Sequence, residues 1–228
     1  MDSLQPADMR AVIERTTLKP NKENFLLPIY EGISNAIYAA QERWKNDVAT
    51  KGKIKLEITT GNFSAFVIDN GIGLNDDNYK SFKTPFTSYR LKKGGKGFGR
   101  FIAFKVFEGI TYNSAFEHGS EKKHRSFDFD IYKDQEFQNP SKVITFPFDC
   151  GCCVLYQHPN SKFQNIAEEL EAEEIVERII RYFLPNFLSG SLPDLSIVID
   201  GVNFDAKEHF KEFFIPQITL EGSRLLMF

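Results

Sequence analysis

Residues 69–73 of the sequence read Asp-Asn-Gly-Ile-Gly and directly follow the short apolar run Ala65–Ile68. Such a run is typical of a buried strand, so the predicted strand ends at the carboxylate of Asp69. A carboxylate in that position can accept a hydrogen bond from an exocyclic amine. Gly71 and Gly73 allow the chain to turn sharply and a flat ring to lie close to the backbone. The alternative for this stretch is an ordinary Asn-Gly turn between strands.

Upstream of this strand, residues 24–44 carry apolar side chains at helical spacing and predict an amphipathic helix, in which Pro28 is tolerated only near the first turn. Glu31 and Asn35 are one helical turn apart, so they share one face of this helix. The amide oxygen of Asn35 is a hard ligand of the kind that Mg²⁺ binds, and the carboxylate of Glu31 can orient and deprotonate a water. Taken alone, this pair also fits a solvated helix face.

Downstream of the strand, residues 74–94 are polar and lack a long apolar period, which is typical of a lid or of a disordered loop. The stretch Gly94-Gly95-Lys96-Gly97-Phe98-Gly99-Arg100 then opens a helix that we predict over residues 101–107. Backbone N–H groups at a helix N-terminus bind anions, and glycines let phosphate oxygens approach them. This is not a Walker A loop, because no Gly-Lys-Ser/Thr closes it. A flexible loop without a ligand is the alternative.

The remaining pattern predicts a helix at 165–183 and strands at 54–58, 109–116, 124–132, 142–148, 151–157 and 195–199. This order of elements favours an α+β sandwich, in which helices cover one face of a single mixed sheet. A doubly wound nucleotide-binding fold is excluded, because no glycine-rich turn follows the first strand.

The net charge and the apolar content of the sequence exclude some classes of protein. The 228 residues carry a net charge of −3, so this domain has no basic surface with which to hold duplex DNA. The polar start lacks the apolar core of a signal peptide, and no apolar run reaches the roughly 18 residues of a membrane helix. We therefore expect a soluble cytoplasmic protein without membrane contact. Cys150, Cys152, Cys153 and His158 suggest a zinc cluster, but neighbouring residues of a strand point to opposite faces, which favours core cysteines.

The three motifs, in this order and spacing, resemble the GHKL ATPases, which include gyrase, heat-shock chaperones, histidine kinases and MutL. The pattern of that family is Glu-x-x-x-Asn-Ala, then Asp-x-Gly-x-Gly after a strand, then Gly-x-Gly-x-Gly after a lid. The resemblance covers about residues 25 to 157. It implies a two-layer α/β sandwich of the Bergerat type with a long ATP lid, and ATP with Mg²⁺ as the bound cofactors.

The resemblance also implies roles for individual residues. Glu31 would be the general base for the water that attacks the γ-phosphate, and Asn35 would ligate Mg²⁺. Asp69 would hold the amine of adenine, with Gly71 and Gly73 beside it.

At the phosphate end, the resemblance implies that Gly97, Phe98 and Gly99 offer backbone N–H groups. Other residues would reach the phosphates from the lid and the glycine-rich loop: Thr87, Ser88, Lys96 and Arg100. Histidine kinases generally lack a carboxylate at the position of Glu31, so the resemblance indicates a hydrolase.

The sequence departs from the family pattern at three places. Gly151-Cys152 stands where the family has Gly-Thr, so the usual hydroxyl contact at the adenine end is replaced by a thiol. Tyr38 stands where chaperone and MutL relatives carry Asp. The lid segment Thr84–Arg90 is similar to those of MORC-like and uncharacterised bacterial members.

For domain organisation, we predict an ATP-binding domain over residues 1–190 and a hinge or the start of a following domain over residues 191–228. The resemblance implies the N-terminal part of a larger ATP-driven clamp that forms an ATP-dependent homodimer on a client, either DNA or protein. A Lys or Arg from a following domain commonly touches the γ-phosphate in such clamps, so we expect slow turnover by this chain alone. The alternatives are an interaction module that senses ATP without cleaving it, and a type II topoisomerase subunit.

Overall fold

The computed structural model describes residues 9–83, 99–132, 137–138, 140 and 146–214. The strands of these residues are β1 Lys53–Thr59, β2 Ser64–Asp69, β3 Phe107–His118, β4 Glu121–Phe129, β5 Phe137–Gln138, β6 Gly151–Pro159, β7 Asp194–Ile199 and β8 Val202–Asp205. They form one sheet in the order β5-β4-β3-β6-β2-β1-β7-β8. β1 and β7 run parallel, and the other neighbours run antiparallel. The predicted mixed sheet and α+β class are therefore confirmed.

The α-helices of the described residues are α1 Met9–Arg15, α2 Lys22–Trp44, α3 Val48–Lys51, α4 Asp76–Lys83, α5 Gly99–Ile102, α6 Gln164–Glu168, α7 Ala172–Tyr182, α8 Leu184–Ser189 and α9 Ala206–His209. Apolar side chains from α2, α7 and the sheet join in one core cluster, as expected for a two-layer α/β sandwich of the Bergerat type. None of the helices within the described ranges is long and apolar enough to cross a membrane.

Helix α2 is the long helix that the sequence predicts, and it lies across β2 and β6. Its first turn is capped by Asn21, whose side chain accepts a hydrogen bond from the backbone N–H of Asn24 at 2.8 Å. The helix begins two residues earlier than predicted, so Pro28 lies in its second turn. At Gly32 a Cβ atom would lie 3.1 Å from the hydroxyl oxygen of Tyr156, so the absence of a side chain lets the helix approach the sheet closely.

The predicted helix over residues 165–183 is wrong in one respect, because it is two helices, α6 and α7. Leu170 lies between them and is buried in the core. Glu171 has an extended backbone, with φ −85° and ψ 150°, and its carbonyl oxygen accepts the N–H of Ile175 to start α7. The chain therefore leaves the helical conformation between α6 and α7, where Leu170 packs in the core, and a second helix begins after it.

The predicted helix over residues 101–107 is too long. Helix α5 ends at Ile102, a 3₁₀ turn covers Ala103–Lys105, and β3 begins at Phe107, which pairs with Pro159 of β6. A short apolar run fits a helix or a buried strand equally well, and here sheet pairing decides.

The predicted strand at 142–148 is described only in part. Its residues 142–145 lie outside the described residues, and residues 146–148 form no strand.

A helix, α4, occupies part of the segment that was expected to be a loop. Its N-terminus is capped by Asn75, whose side chain accepts the N–H of Asn78 at 2.9 Å. Asp76 and Asp77 lie in the first turn, and Lys80 and Lys83 lie toward the end, an arrangement that suits the helix dipole. The rest of the predicted lid, residues 84–94, lies outside the described residues, as do residues 95–98 of the glycine-rich loop.

The last two strands belong to the same sheet as the first two. β7 pairs with β1 from Asp194 opposite Lys53 to Ile199 opposite Ile58, and β8 pairs with β7. The sheet therefore includes residues 194–205, which follow the predicted domain boundary near residue 190. Where the domain ends stays a prediction.

Candidate functional site

Glu31 and Asn35 lie side by side on α2, as the helical spacing predicts. The amide nitrogen of Asn35 donates to the Glu31 carboxylate across 3.4 Å, and both side chains are half-buried. Two of their neighbours, Ile33 and Ala36, are buried and hold this part of α2 against the sheet. The pair thus presents a carboxylate and an amide group together, one suited to a water and the other to a hard cation.

Asp69 ends β2 and is only 4% exposed. Its carboxylate accepts the backbone N–H of Gly71 at 2.7 Å. Burial raises the pKa of this carboxyl to about 7, while the N–H groups of Gly71 and Cys152 and the charge of Arg43 act in the opposite direction. Asp69 is therefore a hydrogen-bond acceptor whose ionisation changes near neutral pH.

Gly71 brings the loop after β2 into direct contact with α2. A Cβ atom at this position would overlap the backbone and the side chain of Ala39. The next residue, Ile72, donates its N–H to the carbonyl oxygen of Ala39 at 3.3 Å. Ala39 lies one turn after Asn35, so the second motif docks on the helix that carries the first motif.

Gly73 makes the turn that the sequence predicts. Its φ of 69° lies in the left-handed region, which glycine adopts without strain. A Cβ atom there would lie 2.8 Å from the hydroxyl oxygen of Ser114 and 2.9 Å from the carbonyl oxygen of Gly151. Both glycines are thus required by close packing of the motif loop.

Of the phosphate-end residues predicted from the sequence, the structure places Gly99 and Arg100. Gly99 begins α5, and α5 packs against α2. The guanidinium carbon of Arg100 lies 4.3 Å from the centre of the Phe101 ring and 5.2 Å from that of Phe82 in α4. The other predicted residues lie outside the described residues: Thr87, Ser88, Lys96, Gly97 and Phe98.

The first motif lies on α2, and the described residues of the other two motifs lie in segments that pack against α2. Residues 26–133 match the family described as "Histidine kinase-, DNA gyrase B-, and HSP90-like ATPase". This segment therefore carries an ATPase domain of the GHKL type. The matched segment contains all three motifs, and the GHKL domain is an ATP-binding module. A comparison with curated proteins found no match.

Asn70 anchors the motif loop of the GHKL domain, a role that the sequence analysis did not assign. Its side-chain oxygen accepts the N–H of Lys53 at 2.8 Å and the indole N–H of Trp44 at 3.2 Å. Its amide nitrogen donates to the carbonyl oxygen of Lys51 at 2.8 Å. One side chain thus joins the loop to the start of β1 and to the end of α2.

Ser114 was also missed, and it ties the same loop to β6. The side chain is fully buried in β3, and its hydroxyl oxygen accepts the N–H of Leu74 at 2.7 Å. The hydroxyl donates in turn to the carbonyl oxygen of Gly151 at 2.8 Å. These partners are distant in sequence, so no local pattern indicates the contact.

Arg125 of β4 holds the start of α4. Its guanidinium donates to the carbonyl oxygens of Leu74 and of Asn75, the latter at 3.3 Å, and to the Asp76 carboxylate at 2.8 Å. The guanidinium carbon lies 4.1 Å from the centre of the Tyr79 ring. The end of the second motif and the helix that follows it are thereby fixed to the β3–β4 hairpin.

The cysteines form no metal site among the described residues. Cys150 and Cys153 are buried, as predicted for core cysteines, and burial raises the pKa of the Cys153 thiol to about 12. Cys152 is half-buried and lies directly opposite Asp69 in the pairing of β2 with β6. The thiol that stands in the place of the family's threonine therefore belongs to the residue paired with Asp69.

A cavity of about 520 Å³ lies between α2 and α7 and is separate from the motifs. It is lined by charged side chains and one tyrosine: Glu23, Glu174, Glu177, Arg178, Arg181 and Tyr182. Arg178 pairs with Glu23 at 3.2 Å and with Glu174 at 2.9 Å. None of the described motif residues lines this cavity, and its charged side chains pair with one another.

Proposed function

We propose that the GHKL domain binds Mg-ATP between α2, the loop after Asp69 and the glycine-rich loop, and that it hydrolyses the bound ATP. The observation that supports this most strongly is the arrangement along α2. Glu31 and Asn35 lie 3.4 Å apart on one face, and the loop that carries Asp69 docks at Ala39, one turn further along. A helix turn rises about 5.4 Å, so the two motifs are within the reach of one nucleotide.

At the adenine end, the Asp69 carboxylate accepts a hydrogen bond from the exocyclic amine. The ionised carboxylate accepts on both oxygens, whereas protonation turns one oxygen into a donor and leaves fewer acceptor positions beside the N–H of Gly71, so the ionised form binds the amine better. Burial places the pKa of Asp69 at about 7 in the nucleotide-free domain. ATP affinity is therefore expected to rise as the pH increases through neutrality.

At the phosphate end, Asn35 supplies the amide oxygen that fits a hard cation such as Mg²⁺. When bound, Mg²⁺ neutralises charge on the phosphates. Glu31 orients the attacking water and accepts its proton as the general base. Backbone N–H groups of Gly97, Phe98 and Gly99 hold the phosphates, supported by four further side chains: Thr87, Ser88, Lys96 and Arg100.

Within a larger protein, the domain acts as the ATP-binding part of a conformational clamp. ATP binds more tightly to the closed arrangement of two copies, and this difference in affinity drives closure. Phosphate release per chain is therefore expected to increase with protein concentration. The client on which the clamp closes is DNA or another protein.

The test of hydrolysis compares Glu31→Gln with the matched control Glu42→Gln, an exposed position on the same helix. We expect Glu31→Gln to lower phosphate release by about 100-fold or more, because general-base catalysis contributes roughly 10² to 10⁴. Binding of Mg-ATP, measured by calorimetry, should stay within about twofold of the parent value, since the base acts on water. The control should change neither quantity.

The rival proposal is an ATP sensor that does not cleave the nucleotide. It would be supported if the parent protein binds Mg-ATP but releases no phosphate at any concentration. Equal phosphate release by the parent and Glu31→Gln would instead refute the role of Glu31.

A further inference from the structure

Arg43, in the last turn of α2, donates hydrogen bonds to backbone carbonyl groups of two segments, the loop after Asp69 and the residue before β6. Its guanidinium donates to the carbonyl oxygens of Asn70 at 2.8 Å, Cys150 at 3.2 Å and Gly71 at 3.4 Å. Two of these residues follow Asp69 in the motif loop, and the third precedes β6, the strand paired with Asp69. A single side chain therefore joins the two segments that surround the Asp69 carboxylate.

The chemistry of this position favours arginine. A guanidinium has five donors in a planar fork, whereas an ammonium group is a compact charge on a flexible chain. The guanidinium carbon of Arg43 also lies 4.6 Å from the centre of the Trp44 ring, which restricts its orientation. A cation in the last turn of a helix is further favoured by the helix dipole.

Arg43 also acts on Asp69 through its charge. Burial is the largest cause of the raised pKa of Asp69, and the Gly71 and Cys152 N–H groups and the Arg43 charge lower it. The Asp69 carboxylate also contributes to the raised pKa of the Cys153 thiol on β6. Because Cys153 stays neutral near pH 7, Arg43 is the charged side chain that opposes the burial of Asp69 among the described residues.

We propose that Arg43 is a positioning residue for adenine recognition, which holds together the two segments around Asp69 and adds a positive charge that favours the carboxylate form. This inference rests on the proposed binding of ATP at Asp69. It assigns to the end of α2 a function in base recognition that is separate from the roles of Glu31 and Asn35 earlier in the helix.

The test uses Arg43→Met, which removes the charge, Arg43→Lys, which keeps it, and the control Arg181→Met, an exposed arginine of α7. Two quantities are measured between pH 6 and 9. One is the dissociation constant for Mg-ATP. The other is the titration midpoint of the Asp69 carboxyl carbon by NMR without nucleotide, with the resonance assigned by its loss in Asp69→Asn.

We expect Arg43→Met to raise the midpoint and to weaken binding at pH 7 by up to about tenfold, with the loss shrinking at pH 9 to that of Arg43→Lys. Arg43→Lys should keep the midpoint and lose the same factor of affinity at every pH, because it retains the charge but not the fork. The control should match the parent.

Three results would overturn the inference: an unshifted midpoint in Arg43→Met, a loss of affinity that is equal at every pH in that variant, or a shifted midpoint in Arg43→Lys. If Arg43→Met does not fold, Arg43→Gln, which also removes the charge, takes its place in both measurements. Failure of the parent to bind Mg-ATP would refute the proposed function instead, and the nucleotide-free midpoint would still decide whether Arg43 controls Asp69.

Discussion

Replacing Asp69 by Asn is expected to stabilise the nucleotide-free protein at pH 8, although it removes the carboxylate that we assign to adenine. The carboxyl is buried, and its pKa is raised from 3.8 to about 7 in the folded state. A raised folded-state pKa means that the folded protein holds a proton which the unfolded chain releases. The stability from this group is therefore full below about pH 4 and is lost as the pH rises to about 7. Asparagine keeps an acceptor oxygen for the Gly71 N–H and does not titrate.

The expected gain in the free energy of unfolding follows from the size of the pKa shift of Asp69. A difference of about three pKa units corresponds to about 4 kcal/mol in the free energy of unfolding at pH 8. The value pH 5 lies only about one unit above the unfolded-state pKa of 3.8, so the gain in the free energy of unfolding there should be below about 2 kcal/mol. The gain should thus grow with pH and level off above about pH 7.

Urea unfolding monitored by the fluorescence of Trp44 measures this gain. Trp44 is the single tryptophan, and its indole N–H contacts Asn70, the residue after Asp69, at 3.2 Å. Asp194→Asn, at an exposed position of β7, is the matched control and should show no pH-dependent gain. A variant that is less stable than the parent at pH 8, or a difference that is the same at pH 5 and pH 8, would refute the reasoning. Added Mg-ATP should narrow this gain, because a ligand stabilises most the protein that binds it most tightly.

Other substitutions test the packing of the site. Gly71→Ala should lower the free energy of unfolding by about 1 to 3 kcal/mol, because its Cβ would overlap α2, whereas Gly61→Ala, with open space around it, should change it by less than about 0.5 kcal/mol. Equal urea midpoints for these two variants would contradict the packing argument. Asn70→Ala should cost about 2 to 4 kcal/mol in the same assay, because it leaves buried partners without hydrogen bonds, and a loss below about 1 kcal/mol would count against its role as an anchor. Arg125→Ala should speed hydrogen exchange in α4 roughly tenfold or more, because charge-assisted hydrogen bonds to its first turn are lost; unchanged exchange there, or the same increase in Arg181→Ala, would show that Arg125 does not hold this helix.

The parts of the site that sequence reasoning identified are those whose geometry is local. Glu31 and Asn35 meet because any helix brings residues four apart together. Asp69 is found at the end of a strand because a short apolar run followed by Asn-Gly is readable in isolation. Helix α4 was not predicted, because residues 74–94 are polar and lack a long apolar period, and the cap at Asn75 is a local signal of a single turn.

The parts that were missed depend on register between distant strands. Ser114 reaches Leu74 across 40 residues of sequence, and Arg43 reaches Cys150 across 107. Neither contact follows from a pattern, since both require the pairing of β6 with β2 and β3. The same holds for Phe107, whose apolar surroundings suit a helix until the pairing with β6 is known.

The central claim is that Asp69 recognises the adenine amine of a nucleotide whose phosphates lie near Asn35 and Glu31. Calorimetry at pH 8 with ATP and with inosine triphosphate, which lacks that amine, tests it most directly. The parent protein should bind ATP with Mg²⁺ at one site and bind inosine triphosphate at least about tenfold more weakly, because a buried acceptor is then left unpaired. Asp69→Asn should lose most of this preference. Equal affinity of the parent for the two nucleotides, or no heat of binding with either, would contradict the account.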